Sequence, residues 1–368
     1  RVHWQTELEI RLEDKDPEYR KKYLQAHKFC IDGELLSPEE IRDQKEHLIN
    51  KMFAIGYLLH QYKNRARPWA VFAIDNKISP EEESHGRSGK SFCFSALNIF
   101  KKSVTLAGRN PEITKNPHIY DRVTEYTDYI LVDDADRYLP FEFFYDTITG
   151  VMTVNPKNNQ SYEIPFSKSP KFCFTSNFPL RNSDDSTEAR VLYTAFSDYY
   201  HEKTERNNYK ETRKIADDFG KNLFDDYNEE EWNADLNFFA QCLKFYLSVP
   251  SPRKIDAPLK DVTLRKLLAD MGSNFKEWAD VYFDPEGNHV NVCIVREEAL
   301  EDFVKSTKTT RWTTNKFTKS LKSYCAYNGY TLNPKDLQNS QGRITRKIEG
   351  TPKDMILSLI HISEPTRH

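Results

Sequence analysis

The sequence predicts an α/β fold: a parallel sheet at the centre, a helical region before it, and a small winged-helix-like domain after it. Three apolar runs, each ending in or followed by polar side chains, carry that expectation. They are Trp69-Ala70-Val71-Phe72-Ala73-Ile74, Tyr129-Ile130-Leu131-Val132-Asp133-Asp134 and Lys171-Phe172-Cys173-Phe174-Thr175-Ser176-Asn177. Short apolar runs fit strands covered on both faces, and ligands of doubly wound sheets bind outside the carboxyl ends of such strands.

The first run leads into Ser84-His85-Gly86-Arg87-Ser88-Gly89-Lys90-Ser91. Glycines let the backbone turn tightly enough for successive N–H groups to converge on one anion. Gly86, Arg87, Ser88, Gly89, Lys90 and Ser91 are therefore expected around the phosphates of a nucleotide. Lys90 would reach the β- and γ-phosphates, and the Ser91 hydroxyl would ligate Mg²⁺. Ser84 stands where the G-x-x-x-x-G-K-[ST] pattern has its first glycine. Between Phe92 and Lys102, residues Phe92, Ala96, Leu97, Ile99 and Phe100 keep near-helical spacing, so strand, loop and helix follow in the order a phosphate loop requires.

The second run supplies what a phosphate loop lacks. Asp133 would position Mg²⁺ through water, and Asp134 would orient and polarise the attacking water. Two adjacent acids are not both buried unpaired, so a bound cation accounts for them. The third run ends in Asn177, an amide that can hold the lytic water or read the γ-phosphate without adding charge beside it.

In this order the segments resemble superfamily 3 helicases of the phage, plasmid and poxvirus primase-helicase type, whose core is an AAA+-like P-loop NTPase. The resemblance is carried by Gly86-Arg87-Ser88-Gly89-Lys90-Ser91, Ile130-Leu131-Val132-Asp133-Asp134 and Phe174-Thr175-Ser176-Asn177, and runs from about Pro68 to about His201. It implies an ATP-dependent DNA helicase with ATP and Mg²⁺ as cofactors. It also implies a homo-oligomeric, hexameric ring on single-stranded or forked DNA, and a primase domain upstream or in trans. Thr147 to Gln160, followed by Tyr162-Glu163-Ile164-Pro165-Phe166, is similar to the family's hairpin, whose basic tip enters the ring channel. That places Lys157 on DNA. Asp184 to Leu192 is similar to the arginine-finger region, which puts Arg190 near a neighbouring subunit's γ-phosphate.

The domain boundaries expected are 1–66 for a helical N-terminal collar region, 67–205 for the ATPase core, 206–252 for a helical segment and 253–350 for a winged-helix-like DNA-binding domain. In the first, Ser37 can cap a helix, Pro38 fits its first position and Glu40 completes a capping box. Ile41, Leu48, Met52, Ile55 and Leu59 then recur at helical spacing. His27, His47 and His60 lie here without ligand spacing. The third segment combines a solvated acidic run with aromatics at helical spacing, and Val249-Pro250-Ser251-Pro252 reads as a linker. In the last, Thr313 precedes a helix with Phe317, Leu321 and Tyr324 on one side and Lys316, Lys319 and Lys322 on another, while Tyr330 to Leu332 and Ile344 to Ile348 fit the strands of a wing. Such a lysine face suits DNA phosphates.

The chain has 368 residues, 38% hydrophobic and 30% charged, and no apolar run approaches the roughly 18 residues a membrane helix needs. The expectation is a cytoplasmic protein of a bacterium or phage-infected host, without a membrane partner. Six cysteines without C-x-x-C spacing read as buried thiols rather than zinc ligands or disulfides. The net charge of −3 does not by itself argue for nucleic acid. Both ends look cut: residue 1 is Arg, and 357–367 resembles an in-frame translation of a sequencing adapter rather than native sequence. A P-loop ATPase acting as helicase loader, or as a nucleotide-regulated DNA-binding initiator without unwinding, is the alternative.

Overall fold

Five apolar strands pair in parallel to form the central sheet of a mixed α/β fold. They are β1 (Ala70–Asp75), β2 (Ser103–Ala107), β3 (Tyr129–Asp133), β6 (Lys171–Thr175) and β7 (Val191–Phe196), in the spatial order β2-β3-β6-β1-β7. A hairpin of β4 (Met152–Val154) and β5 (Tyr162–Ile164) stands apart from the sheet. The structure is a computed structural model that describes residues 4–27, 30–76, 87–178, 180, 185–205, 209–250, 253–258, 267, 271–285, 287–309, 312–340, 342–348 and 350–359.

Alternation along the strands assigns the two faces. Phe72, Ile74, Ile130, Val132, Phe172, Phe174, Val191 and Tyr193 point into one core, closed by Phe141, Phe144, Ile148 and the hairpin residues Met152, Val154 and Ile164. Val71, Ala73, Leu131, Cys173 and Leu192 point into the other, where they meet Phe53, Ala54, Tyr57 and Leu58.

Those last four residues lie on α3 (Pro38–Leu59), which follows α1 (Gln5–Arg11) and α2 (Pro17–Ala26). The expected capping box closes the start of α3, with Ser37 accepting from the Glu40 N–H and Glu40 from the Ser37 N–H. Glu40 also pairs with Arg11 at 2.5 Å, and that guanidinium holds its carboxyl down at about 2. Against α3 packs α8 (Glu229–Ser248), capped by Asn228 and Glu231 and preceded by the short helices α4 (Lys90–Ser95), α5 (Tyr145–Thr149), α6 (Asp185–Arg190) and α7 (Ile215–Phe219).

Two sequence expectations need correction here. The helix expected over Phe92 to Lys102 stops at Ser95 and continues only as a 3₁₀ turn over Ala96–Ile99. The Tyr129 hydroxyl donates to Phe94 O, the carbonyl the next α-turn would use. The boundaries also move. Residues 1–66 and 206–252 are not separate layers: they fold with the core as one compact unit, Arg1–Val262, because α3 and α8 cover a face of the sheet. Residues 253–257, assigned above to the last domain, reach back to β7: Ala257 N donates to Tyr193 O at 3.2 Å and Lys254 Nζ to Val191 O at 2.8 Å.

The second unit, Thr263–His368, contains the helices Ser273–Tyr282, Arg296–Thr307 and Thr314–Asn328 around Phe275, Trp278, Phe303, Phe317 and Leu321. Thr313 caps the last helix by accepting from Lys316 N. Four strands complete it: β8 (Cys293–Val295), β9 (Thr331–Leu332), β10 (Ile344–Ile348) and β11 (Thr351–Leu359), with β11 pairing antiparallel to each of the others. The common partner of both expected wing strands is thus β11, which lies past the boundary expected at 350 and includes Leu357, Ser358 and Leu359 of the stretch set aside as adapter-like. The rest of that stretch lies outside the described residues.

Of the six cysteines, all free, Cys173, Cys242 and Cys325 are buried, Cys93 and Cys293 are half-buried, and Cys30 is exposed, against the expectation of buried thiols throughout. Among the described residues no helix is long and apolar enough to cross a membrane, and no group of three or more His, Cys, Asp and Glu side chains is placed to hold a metal.

Gly56 of α3 lies directly against the backbone of α8. A Cβ there would sit 2.2 Å from the Cys242 carbonyl oxygen and 2.7 Å from Tyr246 Cβ, so the two helices would have to separate. Gly56→Ala is expected to lower the free energy of unfolding by about 3 kcal/mol, the upper range for overpacking. Urea titration checks this, and an unchanged midpoint would mean that the helices part at no cost.

Candidate active site

Because β6 lies between β1 and β3 and all three run parallel, their carboxyl ends open on the same edge of the sheet. Lys90, Ser91, Asp133, Asp134 and Asn177 come from these ends and from the segment after β1. Arg87 and Gly89 both take left-handed backbone, with φ of 67° and 89°. Glycine adopts that conformation at no steric cost, and its use at Gly89 turns the chain into α4. Gly86, with Ser84 and His85, lies outside the described residues.

Lys90 is 6% exposed and points back across the strand ends. Its ammonium donates to Asp75 Oδ1 at 2.5 Å, to Asn177 Oδ1 at 2.9 Å and to Ser88 Oγ at 3.1 Å. Ser91 Oγ donates to Asp133 Oδ1 at 2.6 Å, and Thr175 Oγ1 donates to the same oxygen at 2.7 Å. Asp134, in left-handed backbone at φ 54°, gives its N–H to Thr175 Oγ1 at 2.9 Å. Its carboxylate accepts from Asn177 Nδ2 at 3.3 Å on one oxygen, and from Arg109 at 2.7 Å (Nε) and 2.5 Å (NH2) on the other. Lys90, Ser91, Asp133, Asp134 and Asn177 are thus joined through side-chain hydrogen bonds directly or through Thr175.

This donor set fits Mg²⁺. A serine hydroxyl and an aspartate oxygen 2.6 Å apart are hard ligands of the kind this ion accepts. Mg²⁺ usually takes one or two carboxylates and completes its shell with water and substrate phosphates, so no larger acidic cluster is required.

Next to Ser88 and Gly89 a cavity of about 440 Å³ opens between α3, α4, α7 and the segment after β7. Leu48, Phe92, Phe196, Ile215 and Phe219 supply apolar walls, with Gln44, His47, Lys51 and Tyr200 as polar groups. Burial, reinforced by neighbouring Lys51, pushes the His47 imidazole down to about 3. Asp43, 3.6 Å from His47 Nε2, favours the protonated ring but does not outweigh that burial. Burial likewise lowers the Lys51 ammonium to about 8 and raises the Cys93 thiol to about 11.

The remaining expected residues are not joined to this network. Arg87 is exposed and pairs with Glu202 at 2.9 Å. Lys157 is exposed in the turn joining β4 and β5, next to Asn158 at φ 62°. Arg190 ends α6, where its guanidinium donates to Ser186 O at 2.8 Å and Ser186 Oγ at 2.6 Å and lies 4.7 Å from the Tyr145 ring centre. It is therefore folded onto its own chain. Lys316, Lys319 and Lys322 form an exposed stripe on the last helix of the second unit, with Lys316 4.3 Å from the Trp312 ring centre.

Three residues at the site had no role in the sequence reading. Asp75 directly follows the first apolar run, so its place at a strand end was visible. Thr175 lies within the third run, but nothing in its type marks it as the bridge between Asp133 and Asp134. Arg109 follows β2, a strand the sequence did not announce. Replacing Thr175 by Val keeps the shape but leaves the Asp134 N–H and an Asp133 oxygen without this partner. Thr175→Val is expected to cost about 1–3 kcal/mol of stability, whereas Thr175→Ser should cost less. Equal urea midpoints for wild type and the Val variant would show that the hydroxyl contributes nothing.

No family model matches the sequence, and no curated protein matches it. Among solved structures, the A-form apo structure of the NrS-1 C-terminal region aligns with a TM-score of 0.40 at 14% identity, over 85% of this chain and 75% of that one.

Proposed function

We propose that the chain is the ATP-dependent motor of a DNA helicase from phage or mobile-element replication, coupling nucleotide hydrolysis in a homo-oligomeric, hexameric ring to movement along DNA. The observation that carries this reading is the convergence of Lys90, Ser91, Asp133, Asp134 and Asn177 at three adjacent parallel strand ends, linked by hydrogen bonds of 2.6–3.3 Å. The strand-loop-helix order around Lys90 supports a P-loop, and the apolar cavity beside Ser88 and Gly89 has the size and lining to take the nucleoside of ATP.

The chemistry follows from these side chains. Lys90 holds the terminal phosphates by charge and hydrogen bonds. Ser91 and Asp133 would hold Mg²⁺, which when bound neutralises charge on the phosphate oxygens. Asp134, turned out of the strand by its left-handed backbone, presents a carboxylate that orients water and accepts its proton. Asn177 touches both Lys90 and Asp134, and its neutral amide aligns the water without repelling the phosphates. Arg190 would complete a neighbouring subunit's site once it leaves Ser186 and Tyr145.

Two surfaces are assigned to DNA. Lys157, at the tip of a hairpin whose base is anchored in the core by Met152, Val154 and Ile164, grips the strand in the ring channel. The Lys316, Lys319 and Lys322 stripe lies on the second of two consecutive helices that are followed by β9, β10 and β11, an order compatible with a winged helix, and meets backbone phosphates. A loader or nucleotide-regulated initiator is the rival reading, and the retracted Arg190 is the observation that favours it.

Strand displacement from a forked duplex separates the two. The wild-type protein should displace the strand with ATP and Mg²⁺. Lys157→Ala should keep DNA-independent ATPase activity within about twofold while losing displacement by at least about tenfold. Turnover without displacement by the wild-type protein would favour the loader, and nucleotide-dependent DNA binding without turnover the initiator.

A further inference from the structure

Asp75 ends β1 at the point where the chain leaves for the phosphate loop. One of its carboxylate oxygens accepts from both Lys90 Nζ and Ser88 Oγ, each at 2.5 Å. An ammonium has three protons to donate. Those of Lys90 are directed at Asp75, Ser88 and Asn177, so a phosphate oxygen can reach Lys90 only by displacing one of them. Asp75 is the charged member of the three. The pair is sheltered, with Lys90 6% and Asp75 16% exposed, so solvent screens it little.

The backbone that carries Asp75 is held at the end of β1: Asp75 pairs in register with Phe196 of β7, and the Asn76 N–H donates to Phe196 O at 2.7 Å, so the carboxylate can move only by side-chain rotation. Its charge therefore stays beside whatever Lys90 binds. A phosphate chain already neutralised by a divalent cation meets that charge at far less cost than a bare polyanion does.

We propose that Asp75 is a positioning residue that occupies Lys90 in place of a phosphate and makes the site select metal-complexed nucleotide over metal-free nucleotide. This rests on the reading of the loop as a nucleotide site. Asp75 holds Lys90 folded across the strand ends, and on binding nucleotide Lys90 exchanges a carboxylate for a phosphate.

The test is calorimetric titration of wild type and Asp75→Asn with ATP, with Mg²⁺ and with the metal chelated, alongside thermal unfolding. Asn retains an oxygen acceptor for Lys90 and Ser88 and removes the charge. Asp75→Asn should bind metal-free ATP at least about tenfold more tightly than wild type, and Mg²⁺–ATP only about two- to threefold more tightly. The KM for Mg²⁺–ATP should fall in step with that affinity. The empty variant should melt lower than wild type, yet gain more on adding ATP. A lower melting temperature with unchanged affinities would make Asp75 merely structural, and weaker binding would make it a direct ligand; either overturns the proposal. If the variant does not fold, the wild-type protein decides alone, because equal affinity for the two forms of ATP contradicts selection by Asp75. Failure of wild type to bind ATP in either form would instead remove the nucleotide-site reading itself.

Discussion

The hydrogen bond from Lys90 to Asn177 joins the loop after β1 to the end of β6, and the candidate site is assembled around it. It requires β6 to lie beside β1, which the order β2-β3-β6-β1-β7 provides. The same order puts β3 on the other side of β6, where Thr175 ties down Asp133 and Asp134. Three segments far apart in the chain therefore meet because their apolar residues are buried on both faces of one sheet. Hydrophobic burial holds the strands, and the strands place the polar groups at their ends.

The helices serve that arrangement from one side. The sheet face formed by Val71, Leu131, Cys173 and Leu192 is covered by α3, and α8 packs against α3 so closely that Gly56 has no room for a side chain. Asn50 of α3, fully buried, donates to the carbonyls of Tyr193 and Ile255, which ties the helix to β7 and to the segment beyond it. The cavity beside Ser88 and Gly89 lies among these same elements, so the packing that covers the sheet also shapes that space.

Much of this was legible in the sequence, for a definite reason. β1, β3 and β6 are uninterrupted apolar runs with polar ends, and Gly89-Lys90-Ser91, Asp133-Asp134 and Asn177 stand at or just beyond those ends. β2, read Ser103-Val104-Thr105-Leu106-Ala107, alternates at an edge of the sheet and has too few apolar residues to stand out. β7 was hidden because Val191 and Leu192 were absorbed into the stretch around Arg190. The pairing of Lys90 with Asp75, and of Asp134 with Arg109, depends on which side chains the folded strands bring together, and no spacing along the chain encodes it. Capping at Ser37 was readable because that contact spans three residues, whereas the domain boundaries were not, because residues far apart in the chain, on α3, α8 and the sheet, share one core.

The claim on which the rest depends is that the loop at Lys90 binds and helps to cleave a nucleoside triphosphate. The most direct measurement is steady-state ATP hydrolysis, with Mg²⁺, by wild type and Lys90→Ala at matched circular dichroism. The account predicts measurable turnover by wild type and a loss of at least about a hundredfold in the variant, because the cation that holds the terminal phosphates is gone. Hydrolysis by Lys90→Ala at the wild-type rate, or none by the wild-type protein, would contradict it.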